Sequence, residues 1–196
     1  MSIYSKSTFY RLMNLRLGSP KVGVLRRETL APAKGKVLEI GFGSGLNLPH
    51  YPGHIKEITA IDPTPMPVDR SGNSVSPTVL TMSAEKMDFQ DRTFDTVVCT
   101  FTLCSIAQPS AALLEVSRVL KPDGRLLFIE HGKSANPFIA GLQHLTNPLY
   151  RRIAFGCNVN RDMVNLLTEN GFKIEKLKIV HTCYPISGIY FYGTAV

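Results

Sequence analysis

Two rhythms of apolar and polar positions run along this chain. Between residues 36 and 131 short apolar runs recur: "KVLEI" (36–40), "EITAID" (57–62), "PTVLTM" (77–82), "FDTVVCTF" (94–101) and "RLLFIEH" (125–131). Runs this continuous describe strands covered on both faces, as parallel sheets require. Before the fifth run, "PSAALLEVSRVLKPDG" places Leu113, Leu114, Val116 and Leu120 on one helical side and stops at Pro122 and Gly124. Alternating strands and helices imply α/β architecture. Past residue 160, "RDMVNLLTENGF" reads as a helix closed by Gly171. "KIEKLKIV" and "SGIYFYGTAV" then follow as two strands without an intervening helix, able to pair antiparallel. The pattern predicts a doubly wound, mostly parallel sheet of seven strands with an antiparallel last pair.

Three stretches depart from the rhythm. "PTPMPVDRSGNSVSP" (63–77) is rich in proline where a helix is expected, so at most a short turn is predicted there. Residues 132–160 carry Phe138, Ile139, Leu142, Leu145, Leu149, Tyr150, Ile153 and Phe155. These are too many apolar groups for an exposed connection, so the insertion is expected to form a substrate lid over the carboxyl edge of the sheet. Residues 1–33 are expected to form an N-terminal helical segment, in which Ile3, Tyr4, Phe9, Tyr10, Leu12, Met13 and Leu17 are interspersed with Lys6, Arg11 and Arg16. The basic residues interrupt any signal-peptide core, and no run reaches the length of a membrane span. A single domain over residues 1–196 is expected.

Mean hydropathy of +0.03 and 44% apolar residues fit an ordinary globular chain. A net charge of +7 admits an anionic substrate, a membrane surface or nucleic acid and selects none of them. The cysteines (Cys99, Cys104, Cys157, Cys183) form no CxxC pair and the histidines show no ligand spacing. No metal is therefore expected, and the thiols read as reduced in a cytoplasmic protein.

The first strand runs into Gly41-Phe42-Gly43-Ser44-Gly45. Without a Cβ, such a turn lets a ligand approach the backbone. No GKS or GKT follows, which sets aside a P-loop. Leu46 breaks the GxGxxG dinucleotide spacing, and Pro49 and Pro52 leave little helix to face a pyrophosphate. Asp62 ends the second strand about 20 residues on, where an acid holds both hydroxyls of a ribose. A ribose without a phosphate at the glycine turn fits S-adenosylmethionine better than NAD.

"VLEIGFGSG", "AIDPTP", "SAEKMDF", "FDTVVCTFTLCSI" and "EVSRVLKPDGRLLFIEH" resemble, in order, the successive motifs of class I S-adenosylmethionine-dependent methyltransferases. "LCSI", "IEHG", "GCNVNRD" and "GIYFYGTAV" are similar to the group containing alkyl thiol methyltransferases, and more distantly to quinone-biosynthesis methyltransferases. The resemblance implies a Rossmann-like fold and S-adenosylmethionine as cofactor. It further implies that Glu39, Gly41, Gly43 and Gly45 line the methionine end. Asp62 is then at the ribose, Pro63, Ala84 and Glu85 at the adenine, and Thr100 by the sulfonium. Ser83 replaces the aspartate usual before the Ala-Glu pair and keeps one acceptor for the adenine amine.

The acceptor is read from the lid, which favours a small lipophilic molecule bearing a thiol, hydroxyl, amine or activated carbon. A phospholipid headgroup amine, with peripheral membrane contact, is the alternative. A cofactor-binding module without chemistry is another. The motifs of nucleic-acid base methylation are missing. His131, at the end of the fifth strand, is the candidate general base. Asn158 and Arg161 are expected to cap the helix after residue 161 and to hold the lid, and Cys104 and Cys157 to pack as buried thiols.

Overall fold

A computed structural model of the chain describes residues 15–64, 66, 74–182 and 187–196. The N-terminal apolar cluster up to Met13, most of the proline-rich segment after β2, and Cys183 lie outside the described residues. The elements are α1 (Pro20–Leu30), β1 (Val37–Ile40), β2 (Glu57–Asp62), β3 (Ser76–Thr81), β4 (Phe94–Thr100), α2 (Pro109–Val119), β5 (Leu120–His131), α3 (Pro137–Ile153), α4 (Met163–Glu169), β6 (Ile174–His181) and β7 (Ile189–Ala195). A single 3₁₀ turn, Leu48–His50, follows the glycine loop, as short as Pro49 and Pro52 require.

The strands form one sheet in the order β3-β2-β1-β4-β5-β7-β6. The first five pair in parallel, while β7 runs antiparallel to both β5 and β6. This is the predicted doubly wound, mostly parallel architecture. The order reverses between β1 and β4, and that reversal leaves a crevice at their carboxyl ends.

Successive strand residues point to opposite faces, so the apolar runs divide into two cores. Leu38, Ile40, Val97, Cys99, Leu126 and Phe128 meet Leu113, Val116 and Val119 of α2 and Met163 and Leu167 of α4. Val37, Val98 and Leu127 face the other way, onto Leu30 of α1 and Leu48.

Two details of the helix reading change. Leu114 is exposed and Leu120 belongs to β5, because α2 ends at Val119 and the strand begins earlier than its apolar run. Residues 132–160 contain a regular helix, α3, started by Pro137 and capped by Asn136, whose side chain accepts from the N–H groups of Phe138 and Ile139. Among the described residues no helix is long and apolar enough to cross a membrane.

Candidate active site

A cavity of about 970 Å³ occupies the crevice at the β1–β4 reversal. A second concavity, of about 440 Å³, lies around Arg118 and Lys121 at the opposite strand ends and holds none of the predicted groups. The larger cavity is lined by Glu39, Gly41, Gly43, Asp62, Pro63, Ser83, Ala84, Glu85, Thr100 and His131. Gly45 stands behind the turn, where its N–H donates to Phe42 O.

Gly41 and Gly43 both have positive φ, at 70° and 54°, and need glycine for different reasons. A Cβ on Gly41 would lie 2.1 Å from Thr102 Oγ1, so this glycine lets the loops after β1 and β4 touch. A Cβ on Gly43 would meet nothing within 4 Å. There the backbone faces open space, and a ligand has room to approach it. Gly43→Val would strain the backbone and fill that space. S-adenosylhomocysteine affinity is expected to fall by more than about tenfold while the circular dichroism spectrum is kept. Wild-type affinity in a calorimetric titration would move the methionine cradle elsewhere.

The Asp62 carboxylate is tied at both oxygens. Oδ2 accepts from Gly43 N at 2.9 Å and Oδ1 from Thr64 N at 2.8 Å. Each oxygen keeps a second lone pair. Glu85 is shared as well: its Oε1 accepts from Gln108 N at 2.7 Å, at the start of α2, and Ser83 Oγ accepts from Glu85 N.

Between Gly41 and Thr100 lies a buried polar network centred on Glu39. Asn47 Nδ2 donates to Glu39 Oε1 at 2.9 Å and Tyr51 Oη to Oε2 at 2.7 Å. Arg26, from α1, donates to Asn47 Oδ1 and to Thr100 Oγ1, which also accepts from Asn47. Arg26 Nε has no hydrogen-bond partner, an orphaned buried donor beside the cavity. Burial pushes the Glu39 carboxyl up to about 7 against the pull of Tyr51, Asn47 and Arg26, and burial brings Arg26 down to about 10. The open face of Gly43, the spare lone pairs of Asp62 and this buried carboxyl suit a cationic amino acid joined to a ribose.

The pH dependence follows with a definite sign. Glu39 is largely neutral below about 7 and ionised above it. A cationic ligand favours the carboxylate, so affinity should rise with pH through that value, with protons released on binding below it. Calorimetry in buffers of different ionisation enthalpy measures the release. Glu39→Gln should abolish it, and equal proton counts in variant and wild type would remove Glu39 from the methionine end.

The far end of the cavity is built by the turn after β4. Phe101 takes φ of 53°, and Glu130 of β5, fully buried, accepts from the N–H groups of Thr102, Leu103 and Cys104 at 2.8, 2.8 and 3.1 Å. Burial raises the Glu130 carboxyl, and the three N–H groups hold it back. His131, next on the strand, meets the rings of Phe101 and Tyr190 and faces Cys104 and Cys157, both 3.8 Å from its Nδ1. The neighbouring Cys157 thiol and burial move Cys104 up, and the same pairing draws Cys157 down.

The 132–160 segment reaches the cavity through Ala154, Phe155 and Cys157, whereas Phe138 and Tyr150 are not among the lining residues. Asn158 and Arg161 do not cap α4. Asp162 does, by accepting from Asn165 N. Asn158 donates instead to Cys104 O, and Arg161 to the carbonyls of Leu103 and Ile106, which fastens the segment to the turn after β4. Arg26, Asn47, Tyr51 and Glu130 were not singled out from sequence. Only the fold connects them to the glycine loop.

Comparison with known proteins decides the family. A family model described as "Methyltransferase domain" matches residues 38–128. The human thiol S-methyltransferase TMT1A is 31% identical over 163 residues, covering 79% of this chain and 66% of that protein. The phosphatidylethanolamine N-methyltransferase of Cereibacter sphaeroides is 34% identical over 54% of this chain and 57% of its own length. This chain belongs to the S-adenosylmethionine-dependent methyltransferases. The methyltransferase thus spans roughly three fifths of the length of these two relatives. Its fold matches that of a S-adenosylmethionine-dependent methyltransferase of Thermotoga maritima, at a TM-score of 0.62 and 19% identity over 95% of this chain and 97% of the other. The family's cofactor is S-adenosylmethionine, and the residues around Gly43, Asp62 and Glu39 fit it.

Proposed function

We propose that the protein methylates the sulfur of a small apolar thiol. The supporting observation is the composition of the cavity beyond Thr100. It is bounded there mostly by Phe101, Cys104, Ile106, Ala107, Ala154 and Phe155, with the neutral hydroxyls of Thr102 and Ser105, the imidazole of His131 and the Cys157 thiol beside them. Glu39, Asp62 and Glu85 line the cofactor end, and the Glu130 carboxylate is taken up by backbone N–H groups. Among the described residues a cationic amine would meet no free carboxylate at the acceptor end, while an apolar thiol would displace water from largely apolar walls. The names of the thiol S-methyltransferase relatives agree with this reading.

S-adenosylmethionine supplies a methyl carbon already activated by its sulfonium. The chain has to hold the acceptor in line and keep water away. Phe155 is the aromatic wall that residues 132–160 contribute. Turnover of an alkyl thiol, phenol and amine panel with methyl-labelled cofactor should label the thiols. Phe155→Ala should raise KM for the apolar thiol several-fold, with cofactor affinity unchanged. Cofactor binding without turnover of any acceptor would instead describe a non-catalytic module.

A second reading draws on the outer face of α3. Phe138 (82% exposed), Leu145 (77%), Leu149 and Ile153 form one apolar stripe beside Arg151 and Arg152. Such a stripe, with net charge +7, suits peripheral contact of a cytoplasmic protein with an anionic membrane, where a phospholipid amine is the acceptor. Flotation with anionic vesicles separates the two, since this second acceptor requires vesicle binding.

A further inference from the structure

Three metal-ligating side chains meet at the acceptor end of the cavity, each from a different element. Cys104 comes from the turn after β4, His131 from the end of β5 and Cys157 from the loop after α3. His131 Nδ1 lies 3.8 Å from each sulfur, and the three donor atoms are all within 4.8 Å of one another. At 3.8 Å each thiol and the ring nitrogen stand near the outer limit of a sulfur hydrogen bond. The two nitrogen–sulfur separations are close to an edge of a tetrahedron around zinc: bonds of about 2.3 Å to sulfur and 2.0 Å to nitrogen place neighbouring donors about 3.6–3.8 Å apart. The backbones carrying the two cysteines are fastened to each other without help from the sulfurs. Asn158 donates to Cys104 O through both its N–H and its side-chain amide. All three residues are buried against the protein yet line the cavity.

We propose that Cys104, His131 and Cys157 bind a zinc ion whose fourth position opens to the cavity and holds the acceptor thiol as a thiolate. The role of the thiol rests on the reading given under Proposed function; the metal site stands on the donor geometry. Thiol binding balances simply. A zinc–sulfur bond forms, the bond from zinc to its water breaks, and the S–H proton passes to solvent. Nothing is oxidised or reduced. Two cysteine thiolates and a neutral imidazole leave the ion's site uncharged, and the acceptor adds one negative charge. The Arg161 guanidinium, within electrostatic reach of both cysteines, faces that charge. A mixed sulfur and nitrogen set favours a soft thiolate over an amine or hydroxyl as fourth ligand. Zinc stabilises the bound anion near neutral pH as it does hydroxide. His131 then serves through its Nδ1 lone pair as a ligand, and deprotonation of the acceptor needs no separate base.

The test uses the full chain, reduced with a phosphine and supplied with zinc or cobalt(II). About one zinc per chain is expected by elemental analysis. Cobalt should give sulfur-to-metal charge-transfer absorption and the intense visible bands of a tetrahedral site. Cys104→Ser and Cys157→Ser should each weaken cobalt binding by at least about tenfold, and unchanged S-adenosylhomocysteine affinity would show that these variants are folded. Adding butanethiol to the cobalt protein should shift its bands. Failure of the wild type to bind cobalt, or equal binding by both serine variants, overturns the site. A cobalt spectrum unmoved by butanethiol overturns the thiol's place on the metal. Full-rate thiol turnover by metal-free protein removes the metal and leaves the thiol reading standing. Bound cobalt without thiol turnover keeps the site and removes that reading.

Discussion

Asp62→Ala should lower S-adenosylmethionine affinity by at least about tenfold, since two charge-assisted hydrogen bonds to the ribose are each worth about 1.5–3 kcal/mol. The same carboxylate accepts from Gly43 N and Thr64 N, so alanine also frees the glycine loop from β2. Asp62→Asn keeps the size and one acceptor and should fall between the two. Calorimetric titration reads the affinity, and thermal unfolding reads whether the loop's release reaches the whole domain. Wild-type affinity in Asp62→Ala would place the ribose elsewhere.

Glu130→Ala should be the most destabilising single change at the site. It strips the acceptor from three backbone N–H groups in the turn after β4 and from the Cys99 thiol. Each orphaned buried donor costs about 1–3 kcal/mol, against a total stability of about 5–15 kcal/mol for a domain of this kind. Urea unfolding should show a steep loss, with Glu130→Gln in between because its amide keeps one oxygen. Stability within about 1 kcal/mol of wild type would mean that the turn is held by other contacts.

The strands were legible because parallel strands buried on both faces must be apolar throughout, and "FDTVVCT" could hardly be anything else. The glycine loop was legible because few residues tolerate positive φ, and Asp62 because the second strand ends on it. Arg26 was hidden, since its helix is weakly amphipathic and a lone arginine there reads as solvated. Asn47 and Tyr51 sat among loop residues with no periodicity to mark them. Glu130 looked like the polar end of a strand, and only the fold shows three N–H groups converging on it. Spacing in sequence registers only groups on one local element, so it could not show that Cys104, His131 and Cys157, from three elements, come within 4.8 Å of one another.

The position of β7 also bears on how the molecule is made. Of the described strands β7 comes last in sequence, yet it lies between β5 and β6 and pairs Tyr190 with His131 and Phe191 with Glu130. One wall of the cavity therefore rests on residues synthesised after all the other strands of the sheet. Until Ala195 has emerged, β5 presents a bare edge that carries both Glu130 and His131. Closure must then bring together segments far apart in sequence, which is slow. A nascent chain stalled short of β7 would hold most of its cofactor-binding half, with the acceptor end unbuilt and a sticky edge open to whatever chaperone or neighbouring strand arrives first.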